Sequence, residues 1–320
     1  MDEWIFTHDD VDGICAGALA LAVYPKAQVY FTTPVGLFED LSRARNTDKI
    51  IICDISLDES NLDATLQRLR DVSSKGDLTY IDHHPLPEKI SIADMPRRTV
   101  HKVGSAASEL SYLHFQLKLD AFYSRLAIYG AIGDYMDDTQ VIQDLIKKWD
   151  KRTIYFEAGI LTQGIEYLEN DYESKRRILT NLAKKTPPSL DEELVNMALL
   201  YTRREENLLK DLKSKIHVEG HVAYSCNFPL SLGKTASYIK KLTDSPVTLA
   251  ADDQNEIIEI SMRRRDERVD LNKMLRKLTA KFAGSGGGHP AAAGGRIRKD
   301  SLPEFVKELN REVESLLEKR

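Results

Sequence analysis

Over the first 85 residues, short apolar runs alternate with longer stretches of helical spacing. Trp4-Ile5-Phe6, Gln28–Thr32, Lys49–Ile55 and Asp77–Ile81 read as strands. The third, KIIICDI, is β-branched and continuous, the pattern of a strand buried on both faces. Between them lie an Ala/Leu-rich helical run, Ile14–Val23, a short helix over Gly36–Arg45, and an amphipathic helix capped by Asp58 and ending near Asp71. Strands separated by helices imply βαβ units and a mostly parallel sheet.

From Gly104 to about Lys184 the pattern turns helical, with apolar positions recurring through Leu126, Ile132, Ile142, Ile160 and Leu168. Lys184-Lys185-Thr186-Pro187-Pro188 breaks it, because two consecutive prolines cannot continue a helix, and it is the best linker candidate. A long polar helix, Leu190 to about Lys213, opens a second block of strands and helices: Ile216–Gly220, His221–Asn227, Ser231–Leu242, Pro246–Ala251 and Glu256–Ser261. Val269–Phe282 is helical, Gly284–Gly288 reads as a glycine-rich loop, and Ser301–Glu318 is an amphipathic helix. The predicted fold class is α/β. A mostly parallel-sheet domain spans 1–185, a smaller α/β domain spans 186–320, and the active site is expected in a cleft where they face each other.

Composition narrows the function classes. Apolar residues make up 42% and charged ones 30% of 320 residues, which excludes disordered and collagen-like chains. The longest apolar stretches, such as Ala16–Val23, fall far short of the roughly 20 residues that span a bilayer, so no membrane partner is expected. Three scattered cysteines (Cys15, Cys53, Cys226) suit neither a disulfide framework nor a Cys-rich zinc site. With no basic-then-apolar leader before the first strand, a cytoplasmic location is expected. A net charge of −5 argues against a protein that coats duplex DNA.

The candidate chemistry stands at strand ends, where open α/β sheets bind ligands. His8-Asp9-Asp10-Val11-Asp12-Gly13 follows the first strand, Asp54 ends KIIICD, and Asp82-His83-His84 ends DLTYI. Alone, HDDVDG reads equally well as a solvated acidic turn with capping aspartates, a single strand-end Asp reads as a turn or cap residue, and a His pair as structural or exposed. Three together in one sheet are hard to explain by capping, and oxygen with imidazole donors suits Mn²⁺ or Mg²⁺ better than structural zinc. Gly133-Asp134 ends a helical run, where an acid opposes the helix dipole unless a cation compensates it. Asp137 and Asp138 read as the start of the next helix. Gly104–Ser108 is a small-residue helix start, better read as a plain cap than as a phosphate site.

In the second block, Arg263-Arg264-Arg265 follow an apolar strand, and alternation sends Arg263 and Arg265 to one face. Residues 263–281 hold eight basic and three acidic side chains, of which Arg276 and Lys277 read as a solvated, ion-paired face. Gly286-Gly287-Gly288-His289, then Pro290 and alanines, reads as a loop opening a helix, whose backbone N–H groups can approach phosphate or base closely.

This ordered set resembles the DHH phosphoesterase family, which includes RecJ-like exonucleases, nanoRNases (oligoribonucleases) and cyclic-dinucleotide phosphodiesterases. The residues that carry the resemblance are HDDVDG at 8–13, Asp54 in CDIS, DHH at 82–84 and GD at 133–134. SMRRR at 261–265 and GSGGGHPAAAGG at 284–295 resemble the DHH-associated C-terminal domain. The resemblance implies two metal ions, Mn²⁺ with Mg²⁺ as the alternative. His8, Asp10 and Asp54 would hold one; Asp12, Asp54, His83 and Asp134 would hold the other, with Asp54 bridging. It gives Asp82 the task of orienting a metal-site histidine, and His84 that of contacting the scissile phosphate or assisting proton transfer. Arg263, Gly286, Gly287, Gly288 and His289 would bind substrate.

The expected activity is hydrolysis of phosphodiester bonds by metal-activated water, on short single-stranded oligonucleotides or on linear or cyclic dinucleotides. Three alternatives stand beside it: an exonuclease on longer DNA or RNA strands, a 3′-phosphoadenosine phosphate phosphatase, and a nucleotide-binding scaffold with a degenerate site. None of the six proposed metal ligands is missing, which speaks against the scaffold. A homo-oligomer is admitted but not indicated.

Overall fold

A computed structural model describes residues 2–318. By its own contacts the chain divides into two units, residues 1–202 and 203–320. The division falls inside a long helix, so Lys184–Pro188 belongs to the first unit. Its prolines do interrupt the helix. The 3₁₀ turn they begin, Pro188–Leu190, is then tied down by Ser189, whose N–H and hydroxyl donate to the two oxygens of Glu157 at 2.8 and 2.6 Å.

The first unit is built on five parallel strands: β1 (Glu3–Thr7), β2 (Gln28–Phe31), β3 (Lys49–Cys53), β4 (Asp77–Asp82) and β5 (Thr99–His101), ordered β2-β1-β3-β4-β5. β3 shows why the sheet forms. Ile50 and Ile52 pack with Phe6 and Tyr80 on one face, while Ile51 and Cys53 pack with Ile5 and Ile81 on the other. All four side chains are at most 1% exposed, each isoleucine contributing about 1.5–3 kcal/mol by burial. Helices therefore cover both faces, as parallel sheets require. α1 (Val11–Val23) is buried over residues 11–21, and its alanines and glycines admit close neighbours. α2 (Leu37–Asp40) continues as a 3₁₀ turn, and Asp58 caps a 3₁₀ turn that leads into α3 (Leu62–Lys75). α4 (Ala107–Phe115), α5 (Ser124–Gly133), α6 (Gln140–Ile146), α7 (Lys151–Leu168) and α8 (Tyr172–Ala183) follow. α9 (Glu192–Leu212) carries the chain into the second unit.

β5 is the strand that the sequence pattern does not announce. Three half-buried residues at the sheet edge hold too few apolar positions to register. Asp137 and Asp138 do not cap α6 either. Thr139 does, its hydroxyl accepting from Ile142 N at 3.2 Å, while Asp137 accepts from the Tyr155 hydroxyl at 2.8 Å.

The second unit is a mixed six-stranded sheet, ordered β10-β11-β9-β8-β7-β6. It comprises β6 (His217–Glu219), β7 (Val222–Cys226), β8 (Val247–Gln254), β9 (Ile257–Arg264), β10 (Ser285–Gly288) and β11 (Ala292–Arg298), with α10 (Leu232–Leu242), α11 (Leu271–Lys281) and α12 (Leu302–Glu318). Leu271, Leu275 and Leu278 of α11 and Phe305, Leu309 and Val313 of α12 complete its core.

Here the structure corrects the glycine-rich segment. Gly286–Gly288 and the alanines form a hairpin, not a loop that opens a helix. The turn closes through His289 N to Ala292 O at 2.7 Å and Ala292 N to His289 O at 3.2 Å, which places Pro290, with no N–H to donate, inside the turn. β11 then pairs antiparallel with β9 along its whole length, so long-range pairing overrides the weak local preference of its alanines. Glycine is required in β10 because α11 lies so close. A Cβ on Gly286 would stand 2.9 Å from Leu275 Cγ.

Candidate metal centre

The parallel sheet delivers its strand ends to one edge, and the acids and histidines stand there. His8 follows β1, and its Nδ1 lies 2.8 Å from Asp10 Oδ2. Asp10 also caps α1, accepting from Gly13 N at 2.9 Å. Asp12, in the first turn of α1, is 1% exposed and faces the N-terminus of α4, where the N–H groups of Ala107 and Ser108 donate to it at 2.6 and 2.9 Å. The positive end of that helix helps to hold a buried carboxylate. These contacts also commit the Gly104–Ser108 helix start to Asp12. The approach needs Gly130 of α5, where a Cβ would fall 2.5 Å from Asp12 Oδ1 and 2.3 Å from Ser108 Oγ.

Asp54 follows β3 in the left-handed region, φ 59°, with its N–H donating to Ile81 O at 2.9 Å. A non-glycine residue rarely adopts that conformation, and such strain gathers at functional sites. His83, at the end of β4, ties the set together. Its Nε2 lies 3.1 Å from Asp54 Oδ1, 3.4 Å from Asp134 Oδ2 and 3.8 Å from Asp12 Oδ2. Asp134 caps the C-terminus of α5, and Tyr135 beside it is again left-handed, φ 57°. Asp82 Oδ1 meets His84 Nδ1 at 2.8 Å, a contact that orients the His84 ring. His101 Nε2 lies 2.7 Å from His84 O.

Family models decide the kinship. Residues 4–136 match the N-terminal domain of the DHH family and residues 221–315 match the DHHA1 domain.

The chain belongs to the DHH phosphoesterase family.

The family is one of metal-dependent hydrolases. Its fold recurs in solved structures. RecJ from Thermus thermophilus in complex with Mn²⁺ aligns at 18% identity with a TM-score of 0.69, over 97% of this chain and 52% of that one. A pGpG-specific phosphodiesterase from Vibrio cholerae aligns at 13% identity with a TM-score of 0.59, over 98% and 99%. An exopolyphosphatase-related protein from Bacteroides fragilis aligns at 17% identity with a TM-score of 0.60, over 99% and 94%. At these identities the likeness is one of fold. This DHH chain spans about half of the Thermus RecJ. A comparison with curated proteins gives no match.

The donor set of this DHH chain fits a divalent cation. His8, Asp10 and Asp54 can converge on one ion, and Asp12, Asp54 and His83 on another. Burial, with Asp10 and Asp12 close by, pushes the Asp54 carboxyl well above its ordinary range. Burial and the same two acids raise Asp134 to about 6. Burial opposes charge on His8 as well, yet Asp10, Asp54 and Asp9 outweigh it and raise the imidazole to about 10. Without a cation the raised Asp54 and Asp134 carboxyls keep protons at pH values where ordinary carboxylates are ionised, and a divalent ion can replace those protons.

The second-unit residues lie on β9 and β10, the strands that flank β11, with His289 in the turn after β10. Arg263 of β9 stands opposite Ala292 of β11, and Gly288 of β10 opposite Ala293. Arg263 donates to Ser261 Oγ at 3.0 Å and Met262 O at 2.9 Å. Arg265 reaches the carbonyls of Lys240 in the last turn of α10 and of Thr243 just past it, while Arg264 turns to Glu267 O and Val269 O. Lys277 pairs with Glu312 at 2.7 Å, and Arg276 Nε donates to Asn272 Oδ1 at 2.9 Å. Sequence reading does not find the Lys175 contact with Asp9, the support from His101, or the reach of Asp12 to α4. Each joins residues far apart in the chain, and no local pattern marks them.

Proposed function

We propose that the protein hydrolyses phosphodiester bonds in short single-stranded oligonucleotides or in linear or cyclic dinucleotides, using two divalent cations, Mn²⁺ before Mg²⁺. The observation that supports this most is the convergence of His8, Asp10, Asp12, Asp54, His83 and Asp134, with Asp54 common to both donor groups. In this reading His8, Asp10 and Asp54 hold one ion, and Asp12, Asp54, His83 and Asp134 the other. When bound, such a pair of ions activates water and steadies the charge that builds on the phosphoryl oxygens.

The chain's own groups supply the rest. Asp12 is held by two N–H donors and Asp54 by its backbone, so these carboxylates need little reorganisation to receive cations. Asp82 fixes the Nδ1 side of His84, which orients the ring to contact the scissile phosphate or to pass a proton. Arg263 would grip phosphate through its planar guanidinium, and Gly286–Gly288 with His289 would receive the nucleoside.

A panel of labelled substrates tests the proposal, from cyclic dinucleotides to strands of about 25 nucleotides, with Mn²⁺ and with chelator. Cleavage of the shortest members, abolished by chelator, is the expected result. Release of inorganic phosphate from 3′-phosphoadenosine phosphate, with no diester cleaved, would contradict it.

A further inference from the structure

The helices that follow the N-terminal family match carry one charge buried beside this centre. Lys175 stands in the first turn of α8, outside both matched segments, and its side chain is 6% exposed. Its Nζ lies 2.5 Å from Asp9 Oδ2, and Asp9 Oδ1 lies 3.9 Å from His8 Nε2. Of the three acids in HDDVDG, Asp9 is the one that the ligand assignment leaves unused. α8 is itself fixed in place. Arg176 Nε donates to Val29 O of β2 at 3.1 Å, and Leu179 packs where Gly17 of α1 has no side chain. A buried ammonium is costly unless paired, so a lysine kept there against a single acid of the motif calls for a role.

We propose that Lys175 is a positioning residue for the metal centre: through Asp9 it holds the His8–Asp10 turn in the geometry that receives a divalent ion. The inference rests on the reading of His8 and Asp10 as ligands. It has a sign that simple electrostatics does not share. Removing a cation makes the site more negative, which by charge alone tightens binding of Mn²⁺, whereas releasing the turn weakens it.

Calorimetric titration of the chelator-stripped full chain with Mn²⁺ separates the two. Wild type is expected to show two sites and His8→Ala to lose one. If either fails, the ligand reading itself falls and takes this inference with it. Given both, Lys175→Met, which keeps most of the aliphatic stem, is expected to weaken one site about 10–100-fold, and Lys175→Arg to retain most of the affinity. Lys175→Met leaves Asp9 without its cation and is open to misfolding, so the double variant Lys175→Met/Asp9→Asn removes both charges. It is expected to melt like wild type in the metal-free state and still to bind Mn²⁺ weakly. Wild-type or tighter affinity in a folded Lys175→Met or double variant would overturn the proposal.

Discussion

In the parallel sheet of the first unit every strand ends on the same edge, whereas in the mixed sheet of the second unit β9 runs opposite to both β8 and β11. The first arrangement brings residues as far apart as His8, Asp54 and His83 to one place by direction alone, each one residue past the end of its strand. The second arranges its candidate residues across a ladder, Arg263 and Gly288 lying on strands either side of β11. A crowded, mutually repelling acid cluster suits cations. An arginine beside glycine-rich strands suits an anionic ligand. On this comparison one unit would supply the chemistry and the other the grip on substrate.

The largest effect should come from breaking the first region. Asp54→Ala removes the group shared by both donor sets, and activity is expected to fall at least about 10³-fold, some 4 kcal/mol of transition-state stabilisation. Circular dichroism should stay that of the folded chain. Near-normal turnover would break the comparison at its root.

Arg263→Ala and His289→Ala probe the second region, and should lower kcat/KM on dinucleotides about 10–100-fold, or roughly 1.4–2.7 kcal/mol. Both should leave Mn²⁺ binding intact in calorimetry. Loss of metal from either variant would show that the two roles are not divided in this way.

Substrate length sharpens the same division. The net charge is −5, and residues 263–281 carry eight basic side chains against three acidic, enough to grip a few phosphates. Efficiency is expected to decline beyond roughly five nucleotides, with a shallow salt dependence for the shortest substrates. Rising efficiency with length and a steep salt slope would point to a polymer exonuclease.

The smallest effect concerns stability without metal. Asp134 is raised from 3.8 to about 6 by burial and its acidic neighbours, so its ionisation opposes folding. That cost is absent below the unfolded value, grows as pH rises from 3.8, and is complete above about 6. Metal-free Asp134→Asn should therefore match wild type near pH 4 and melt a few degrees higher near pH 7, on the order of 2–4 °C. A lower melting temperature at neutral pH would contradict the crowding of acids described for this site.

How much the sequence reveals follows from the same contrast. The strand ends are legible because a strand buried on both faces writes a continuous apolar run, and the acid that stops it stands out, as Asp54 does after Ile50–Cys53. The hairpin at Gly286–Arg298 escapes a sequence reading because glycines and alanines carry little strand preference of their own. Their register comes from β9, more than twenty residues earlier in the sequence. Lys175 is invisible for a related reason, being 166 residues from the aspartate it meets. The break at Pro187-Pro188 is legible as a helix stop, but it is anchored by Glu157, a contact that only packing can supply.

The most direct test is a crystal of the protein soaked in Mn²⁺, with ions located by their anomalous scattering. Two ions are expected: one among His8, Asp10 and Asp54, the other among Asp12, Asp54, His83 and Asp134, with Asp54 touching both. A single ion, or two that do not share Asp54, would contradict the dinuclear centre on which the account stands.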